Sequence, residues 1–457
     1  MRAQAAVESR LQFRATSLDN RNDIVRNNIV SFSSTSGSPL RSPVGHSLAI
    51  YRSGRQFCWI GLIGMQVVIM LTASLFAADK LVDKILLPHD PSPKGVYRWS
   101  GMALLNLDEK QHLLLLATAY GQGGHDHTES RILEFHSRDG GLTWTPLAEA
   151  KVFQENIGKQ NVSSPSLLRL QNGDILFFFT VKNPPTLTDS GAWMRRSTDN
   201  GLSWSEPEKL PYENYGGVAQ DRAMQHSSGR VILPCWLSKD RLGSTHAYSF
   251  YSDDNGRTWK KSPLITTPAG STGRKTDPAA EEPTVIELKD GRLMMFLRCY
   301  LKSIYVSYSS DRGESWSEPT SSGVPSPGSM ATIKRLPDGN MLLIWNFAPV
   351  EYIEGPFPRT QLTAAVSTDD GKNFTHLRAL DGNTDFSDRS KVPKTTMASV
   401  EFSGDRVIIV YSKSFSRKNA YNLRLQVVPV DWFVEGAAEP AYGESYLPIL
   451  NGKLADK

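Results

Sequence analysis

One short motif occurs five times in this chain at a nearly constant interval. The copies begin at Ser137, Ser197, Ser252, Ser309 and Ser367, and successive starts lie 60, 55, 57 and 58 residues apart. Four copies have the form Ser-x-Asp-x-Gly-x-Thr/Ser-Trp, and the last ends in Asn-Phe. The Ser and Asp side chains can hydrogen-bond nearby backbone, the Gly permits a positive φ, and the aromatic side chain can be buried. A fixed period of this size predicts a repeat architecture with the motif as a turn between strands.

Each period also contains an apolar strand pair with a Gly-containing turn. Such pairs read at 167–179, 226–236, 285–298, 333–345 and 400–411. Apolar runs broken by Asn-Gly, Ser-Gly or Asp-Gly are a strong hairpin signal, and no helical period lies between them. Six repeats of about 57 residues span about 342 residues, which matches residues 92–435. We therefore predict an all-β fold, a six-bladed β-propeller with four-stranded antiparallel blades.

The N-terminal segment differs from the rest. Residues 1–56 hold eight Arg against one Glu and two Asp, whereas the whole chain has a net charge of +4. The basic balance belongs to this predicted disordered leader, and no nucleic-acid partner is expected. Residues 57–78 carry no charge and predict either a cleaved signal peptide or an uncleaved membrane anchor. Either interpretation predicts that the propeller is exported, to be secreted, periplasmic or held at the outer face of the membrane.

Two further predictions concern the C-terminal end of the chain and its oligomeric state. Residues 436–457 are predicted to form a C-terminal tail. Nothing in the sequence indicates oligomerisation, so a monomer is expected.

The repeated motif resembles the Asp box of the sialidases, or neuraminidases, and of related BNR-repeat propellers. The resemblance covers roughly residues 92–435 and implies a propeller with its site at one mouth of the central channel. It also implies a glycoside hydrolase that removes a terminal acidic sugar from a glycan and needs no metal or organic cofactor. Asp boxes occur in non-catalytic propellers too, so the motif itself indicates fold rather than activity.

Sialidases bind the carboxylate of the sugar with three arginines from different blades, since a guanidinium matches a carboxylate bidentately. The first belongs to a Tyr-Arg-Ile-Pro motif, and the sequence Tyr-Arg-Trp-Ser at 97–100 points to Arg98. The second is Arg298, which ends the segment 281–298, and the third is Arg359, just before the fifth motif. The resemblance implies that these three residues bind substrate.

Two carboxylates are implied as catalytic residues. Asp126 follows Gly-Gly-His in a Gly-rich loop and would act as the acid/base toward the glycosidic oxygen. Glu282 lies 16 residues before Arg298, the spacing found in the family, and would activate the nucleophile. An even separation across a hairpin can return two side chains to one face of the sheet.

The sequence departs from the family at the nucleophile, which in sialidases is a Tyr that opens a strand of the last blade. At that place this chain has Thr396, Met397 and Ala398. A Tyr could reach the site from elsewhere, for example Tyr215 or Tyr300. Alternatively, Glu282 and Asp126 could work as a carboxylate pair, or the site could bind acidic sugars without cleaving them.

Two other functions remain open from the sequence. A non-catalytic, lectin-like or scaffolding propeller would account for the absent Tyr. A uronate polysaccharide lyase would hold a carboxylate with an Arg and use a basic side chain such as His125, His127 or His226. Asp221 and Arg222 stand just before a hairpin and could also line the pocket.

Overall fold

The computed structural model describes residues 79–434, except for gaps at 109–110, 159, 184–189, 212–214, 239–243, 270–277, 354–358, 383–393 and 415–419. The described residues belong to the second of two compact units, Gln66–Lys457. The predicted leader, the charge-free segment 57–78 and the tail at 436–457 lie outside them. Within the described ranges, no helix is long and apolar enough to cross a membrane.

The described residues are built almost entirely from strands, joined by turns and by short 3₁₀ segments at Leu147–Glu149, Val350–Tyr352 and Val430–Phe433. In chain order the strands are β1 (Val82–Leu87), β2 (Arg98–Asn106), β3 (Leu113–Tyr120), β4 (Ser130–Ser137), β5 (Lys151–Gln154), β6 (Asn161–Arg169), β7 (Ile175–Lys182), β8 (Gly191–Ser197), β9 (Glu208–Lys209), β10 (Tyr215–Val218), β11 (Met224–Gln225), β12 (Val231–Ser238), β13 (Thr245–Ser252), β14 (Lys260–Lys261), β15 (Glu281–Glu287), β16 (Leu293–Arg298), β17 (Ser303–Ser309), β18 (Thr320–Pro325), β19 (Thr332–Arg335), β20 (Met341–Phe347), β21 (Gln361–Ser367), β22 (Thr375–Gly382), β23 (Lys394–Ser403), β24 (Arg406–Ser414) and β25 (Tyr421–Pro429).

Consecutive strands pair into sheets that follow one another along the chain. Three sheets have the orders β6-β7-β8-β9, β15-β16-β17-β18 and β19-β20-β21-β22, and a fourth is β10-β12-β13-β14 with β11 paired to β12. The fifth, eight-stranded sheet has the order β23-β24-β25-β2-β3-β4-β5, with β1 also paired to β25. Within it, β2 and β25 are joined by a single parallel pair, Arg98 with Tyr421.

The sheets are arranged around a closed ring. β2 contacts β6, β6 contacts β10, β12 contacts β15, β15 contacts β19, β19 contacts β23, and β23 returns to β2. Apolar side chains fill the space between successive sheets, as where Met294 and Phe296 of one sheet pack with Leu343 and Trp345 of the next. Burial of each such side chain contributes about 1.5–3 kcal/mol. The predicted all-β propeller is confirmed.

Each copy of the repeated motif begins at the last residue of a strand, since β4, β8, β13, β17 and β21 end on its Ser. In the fourth copy, Ser309 Oγ donates to the Asp311 carboxylate at 2.7 Å, and the Ser315 backbone N–H donates to the same carboxylate at 2.9 Å. Gly313 has a φ of +87° and donates its N–H to Ser309 Oγ at 2.8 Å. The same pattern of contacts recurs in the other copies. The motif is a side-chain-bonded turn, as its residues predict.

Because of these turns, the stability of the fold is expected to decrease at acid pH. Partial burial alone would raise the pKa of most motif carboxyls, but hydrogen bonds from the turn lower each pKa below its ordinary value. Hydrogen bonds from Ser203 lower the pKa of Asp199 to about 2. A depressed folded pKa adds stability above the unfolded value of about 3.9, and that stability is lost as pH falls through the folded value. We expect the free energy of unfolding to be level above about pH 5 and to fall steadily toward about pH 2.

Urea unfolding followed by tryptophan fluorescence across this pH range measures the effect. The Asp254→Asn variant provides the comparison, because Asp254 accepts four hydrogen bonds in its turn. This variant is expected to be less stable at neutral pH and to lose less stability on acidification. Parallel pH curves for the two proteins would contradict the assignment.

Candidate active site

A cavity of about 240 Å³ lies among the first strands of several sheets. Its walls include residues of β2, β6, β7, β10, β12, β15, β16 and β23. Six charged side chains contribute to the lining: Arg98, Asp126, Lys182, Glu281, Glu282 and Arg298. Four of the five residues predicted for the site therefore line one cavity, although they are separated by up to two hundred positions in the chain.

A bulge recurs where these first strands reach the cavity. The pairing register shifts at Gly101 in β2, at Ser164 in β6, at Glu282 in β15 and at Met397 in β23. All four residues have a positive φ, between +42° and +72°, and all four line the cavity. Positive φ is uncommon for residues other than glycine, and such conformations and bulges cluster at functional sites, where they redirect a side chain.

The bulge in β15 corrects the predicted geometry of Glu282 and Arg298. Glu281, not Glu282, lies directly opposite Arg298 in the strand pair. Glu282 reaches the same guanidinium because the bulge turns it out of the regular pleat, which places its Oε2 2.5 Å from Arg298 Nη1. Simple alternation along the hairpin therefore does not explain their contact.

Arg298 is the centre of a buried polar network. Its Nε donates to the Gly328 carbonyl at 2.8 Å, and its Nη2 donates to the Tyr300 hydroxyl at 2.9 Å and lies 3.4 Å from Glu281 Oε2. The side chains of Arg298 and Glu282 are 14% and 19% exposed. Burial alone would lower the pKa of Arg298, but the Glu282 carboxylate raises it well above its ordinary value. The guanidinium is a permanent cation with a carboxylate beside it.

Arg98 and Asp126 form a second pair on the cavity wall. Arg98 Nη1 donates to Asp126 Oδ1 at 2.7 Å and to the Gly124 carbonyl at 3.0 Å, while the Asp126 side chain stays 64% exposed. The cavity wall partly desolvates this carboxyl, which alone would raise the pKa of Asp126, but the positive charges of Arg98 and Lys182 hold that pKa well below its usual value. Asp126 is therefore ionised near neutral pH when the cavity holds no substrate.

Lys182 is a site residue that the sequence analysis missed. Its Nζ donates to the Asp126 carbonyl at 3.2 Å, and Asn161 Nδ2 donates to the same carbonyl at 2.6 Å. Both residues belong to the next sheet, so two contacts anchor the acidic loop across a sheet boundary. Burial lowers the pKa of the Lys182 amine. The available signal was a single charge that ends the otherwise uncharged strand β7.

Arg359 lies beside Arg298 but does not line the cavity. Its Nη2 donates to the Gly328 carbonyl at 2.9 Å, the same oxygen that accepts from Arg298 Nε. Burial, together with the positive charge of Arg298, lowers the pKa of Arg359. The three predicted arginines are thus brought into one region, with Arg359 at its edge.

Asp221 and Arg222 lie elsewhere. Both are buried and line a separate cavity of about 220 Å³ together with Lys334 and Arg335. Arg222 Nη2 donates to Thr332 Oγ1 at 2.7 Å. In the segment just before them, Val218 and Gln220 line the first cavity.

Met397 occupies the position at which the family resemblance calls for Tyr. Ser100 Oγ donates to its Sδ at 2.9 Å, and the side chain lines the cavity. Tyr300 does not line the cavity, and its hydroxyl donates to Glu281 Oε2 at 3.3 Å. Tyr120 does line it, with its ring centroid 5.1 Å from the Arg98 guanidinium. The side chain of Tyr215 lies outside the described part of the structure.

Two of the histidines considered as the base of a lyase lie in different parts of the structure. His127 lines the cavity, whereas His226 contacts Ser228 Oγ and the Gly291 carbonyl in a hairpin turn. Among the residues that the structure describes, no group of three His, Cys, Asp or Glu side chains is placed to hold a metal ion.

Comparison with known proteins gives a family match and a set of curated relatives. A family model described as a BNR repeat-like domain matches residues 149–421, more than half of the chain. The sialidase of Micromonospora viridifaciens is 26% identical over 300 residues, which are 58% of this chain and 44% of that protein. Sialidase-2 of Rattus norvegicus is 25% identical over 194 residues, 36% of this chain and 50% of that protein. The chain spans about half the length of these relatives.

Solved structures share the fold. The Hadza microbial sialidase Hz136 has a TM-score of 0.57 at 18% identity, covering 73% of this chain and 66% of that one. Trypanosoma rangeli sialidase in complex with sialic acid has a TM-score of 0.55 at 17% identity, covering 76% and 58%. A Dyadobacter fermentans protein of unknown function has a TM-score of 0.58 at 18% identity, covering 77% and 99%. At these identities the similarity concerns the fold alone.

Proposed function

The chain belongs to the BNR repeat-like domain family, and on that premise we propose that it is an exported sialidase-like glycoside hydrolase, which removes a terminal acidic sugar, sialic acid or a related one, from glycans. One observation carries the proposal: Arg98, Asp126, Glu282 and Arg298 line a single cavity. Export rests on the charge-free segment 57–78, a signal peptide or anchor. The chemistry requires no metal or organic cofactor.

The proposal includes a six-bladed architecture. The eight-stranded sheet contains two antiparallel groups, one of β1 and β23–β25 and one of β2–β5. A single parallel pair, Arg98 with Tyr421, joins them, whereas every other strand pair in that sheet is antiparallel. The two groups count as two separate four-stranded blades. With one blade from each of the other four sheets, the described residues form six blades in this proposal.

In this proposal the arginines attract the sugar carboxylate. The region holds four cationic side chains and three carboxylates, so its described residues carry a net positive charge. The cations are Arg98, Lys182, Arg298 and Arg359, and the carboxylates are Asp126, Glu281 and Glu282. A guanidinium offers five donors in a fixed fork, which permits it to hold a substrate carboxylate beside an existing partner. Acidic sugars are the substrate class that such a site favours.

Substrate binding also prepares Asp126 for acid catalysis. Arg98 holds Asp126 as a carboxylate, which cannot donate a proton. A substrate carboxylate on Arg98 brings a negative charge close to Asp126 and takes up part of the positive charge, so the pKa of Asp126 rises. The protonated carboxyl can then donate to the glycosidic oxygen as its bond breaks. Glu282, on the β15 bulge and paired with Arg298, acts as the base.

The first test is hydrolysis of the 4-methylumbelliferyl α-glycoside of N-acetylneuraminic acid by the full chain. The Arg298→Lys variant keeps the charge but loses the fork, and we expect kcat/KM to fall about 100-fold, which corresponds to about 2.7 kcal/mol. Arg292→Lys is the matched control, because Arg292 lies exposed on the same hairpin and pairs with Asp290. No fluorescence release by the folded protein, or equal loss in both variants, would overturn the proposal.

A carbohydrate-binding propeller without turnover is the second candidate. Met397 favours it, since a thioether in place of a phenol removes the nucleophile expected from the family resemblance. Two results together would support this function over hydrolysis. Calorimetry would show that the protein binds free N-acetylneuraminic acid, and activity assays would show that it cleaves none of the glycosides of that sugar.

A further inference from the structure

We propose that a neighbouring cavity of about 190 Å³ binds the second sugar of the substrate, a neutral hexose to which the terminal acidic sugar is linked. The inference rests on the proposed function, that a terminal acidic sugar is cleaved from a glycan. It adds a binding site for the part of the glycan that leaves. Four segments line this neighbouring cavity: 93–96, 119–121, 129–131 and 155–156.

The neighbouring cavity adjoins the candidate active site at Tyr120, which lines both. The loop that follows Tyr120 also contributes to both. Asp126, near the middle of this loop, lines the active site, whereas Gly121 and Glu129, at its two ends, line the neighbouring cavity. In the proposed reaction Asp126 protonates the glycosidic oxygen, to which the second sugar is attached. The leaving part of the glycan therefore lies against this loop, and the neighbouring cavity is the space beside the loop that a sugar can occupy.

Backbone contacts hold the walls of this cavity in place. The Gly95 N–H donates to the Ser92 carbonyl at 2.9 Å in the turn before β2. Glycine is required there, because a Cβ on Gly95 would come within 2.3 Å of Asp90 Cγ. On another wall, the Gly121 N–H donates to the Glu129 carbonyl at 3.0 Å and closes the base of the loop. The cavity is therefore formed by the protein itself, as is usual for binding sites of small ligands.

The charges around the neighbouring cavity indicate which ligand it favours. Its lining includes two cations and two carboxylates, all of them on exposed residues: Lys94, Arg131, Glu129 and Glu155. Among the described residues, none of these four side chains forms an ion pair or a hydrogen bond. The lining therefore has no net charge and offers both donors and acceptors to a ligand. A hydroxyl group both donates and accepts, so a neutral sugar with several hydroxyls matches this lining.

Apolar groups complete the lining of the neighbouring cavity. Pro93, Val96 and Ala119 contribute to it together with Tyr120. A hexose ring has C–H groups on its faces and hydroxyls around its edge, so it can contact apolar surface and polar groups at once. A ligand site of this kind combines an apolar wall with a few convergent polar groups. The neighbouring cavity has both, whereas the active site is suited to the carboxylate of the terminal sugar.

The test compares two substrates of the full chain: sialyllactose, whose second sugar is galactose, and the 4-methylumbelliferyl α-glycoside, which has no second sugar. Glu155→Ala and Arg131→Ala each remove one charged group from the neighbouring cavity. We expect the ratio of kcat/KM for sialyllactose to kcat/KM for the aryl glycoside to fall about tenfold in each variant, as for loss of one hydrogen bond to a charged group. The matched controls are Glu149→Ala and Arg138→Ala, which alter exposed residues outside both linings and are expected to leave the ratio unchanged.

Saturation-transfer NMR gives a direct reading of the contact. The Glu282→Gln variant serves as the slowly cleaving protein. With it, the galactose protons of sialyllactose are expected to receive saturation from the protein, as the protons of the acidic sugar do. Adding Arg131→Ala is expected to weaken the galactose signals relative to those of the acidic sugar. Galactose protons that receive no saturation would show that the second sugar points into solvent and would overturn the inference.

The failure of this inference and the failure of the proposed function would look different. If the chain cleaves both substrates and the ratio is unchanged in either Glu155→Ala or Arg131→Ala, the second-sugar site is wrong and the proposed function stands. An equal fall of the ratio in the two control variants would overturn the site in the same way. If the folded chain cleaves neither substrate, the hydrolase proposal is wrong and the second-sugar site, which rests on it, is wrong as well.

Discussion

Glu282→Gln is expected to lower kcat on acidic glycosides by about 10³-fold, within the range of about 10²–10⁴ for loss of a general base. The amide is nearly isosteric with the carboxylate and its oxygen can still accept from Arg298 Nη1, so the polar network keeps its geometry. It cannot accept a proton from the attacking water. Steady-state kinetics with the 4-methylumbelliferyl glycoside, together with urea unfolding of each protein, separates loss of chemistry from loss of fold.

Two further variants sharpen this result. Glu318→Gln is the surface control. Because Glu318 is exposed, this variant is expected to leave kcat unchanged. Glu282→Ala opens space beside Arg298, where added azide is expected to restore part of the lost turnover. A Glu282→Gln protein within tenfold of the unsubstituted chain would show that Glu282 is not the base.

Asp126→Asn is expected to act according to the leaving group. Hydrolysis of an alkyl-linked substrate such as sialyllactose should fall by about 10²–10³-fold, because its leaving oxygen needs a proton. Hydrolysis of the aryl glycoside should fall far less, because 4-methylumbelliferone is a stable anion. The measurement is the ratio of kcat/KM values for the two substrates, with Asp338→Asn, in an exposed hairpin turn, as control. Equal losses on both substrates would contradict the role of proton donor.

The pH profile gives an independent reading of the same residue. A general acid works while it is protonated, so activity is present below its pKa and lost as pH rises through it. Arg98 and Lys182 hold the pKa of Asp126 well below its usual value against the opposing effect of partial desolvation. Since a substrate carboxylate raises that pKa, the alkaline limb of kcat should lie at higher pH than that of kcat/KM, which reports the free protein. The Asp126→Asn variant should lack this limb.

The fold was accessible from sequence because its signals are local. Each Ser-x-Asp-x-Gly motif contains the donors and acceptors that close its own turn, and each apolar pair contains its own hairpin residues. The segment predicted at 285–298 is the pair β15–β16, and the resemblance to sialidases is confirmed by the family match and the shared fold. Four of the residues that the resemblance implied for the site, Arg98, Asp126, Glu282 and Arg298, line one cavity.

What the sequence did not reveal depends on contacts between sheets and on backbone conformation. Lys182 reaches Asp126 across a sheet boundary, and no local pattern marks that contact. Glu and Met residues normally avoid a positive φ, so the positive φ of Glu282 and Met397 cannot be inferred from their residue types. The direct pairing of Arg298 with Glu281 follows from the bulge, not from the count of residues between them.

The single parallel pair between β2 and β25 has a consequence for how the molecule holds together. Arg98 lies at the joint between the group of β1 and β23–β25 and the group of β2–β5, opposite Tyr421. The Tyr421 ring also faces the Arg98 guanidinium, with 5.3 Å from its centroid to Cζ. Arg98 thus joins two groups of strands and also lines the cavity in which we propose that the substrate binds. A motion that separates the two groups would therefore also move Arg98 relative to Arg298, so a substrate carboxylate held by both arginines would stabilise this joint.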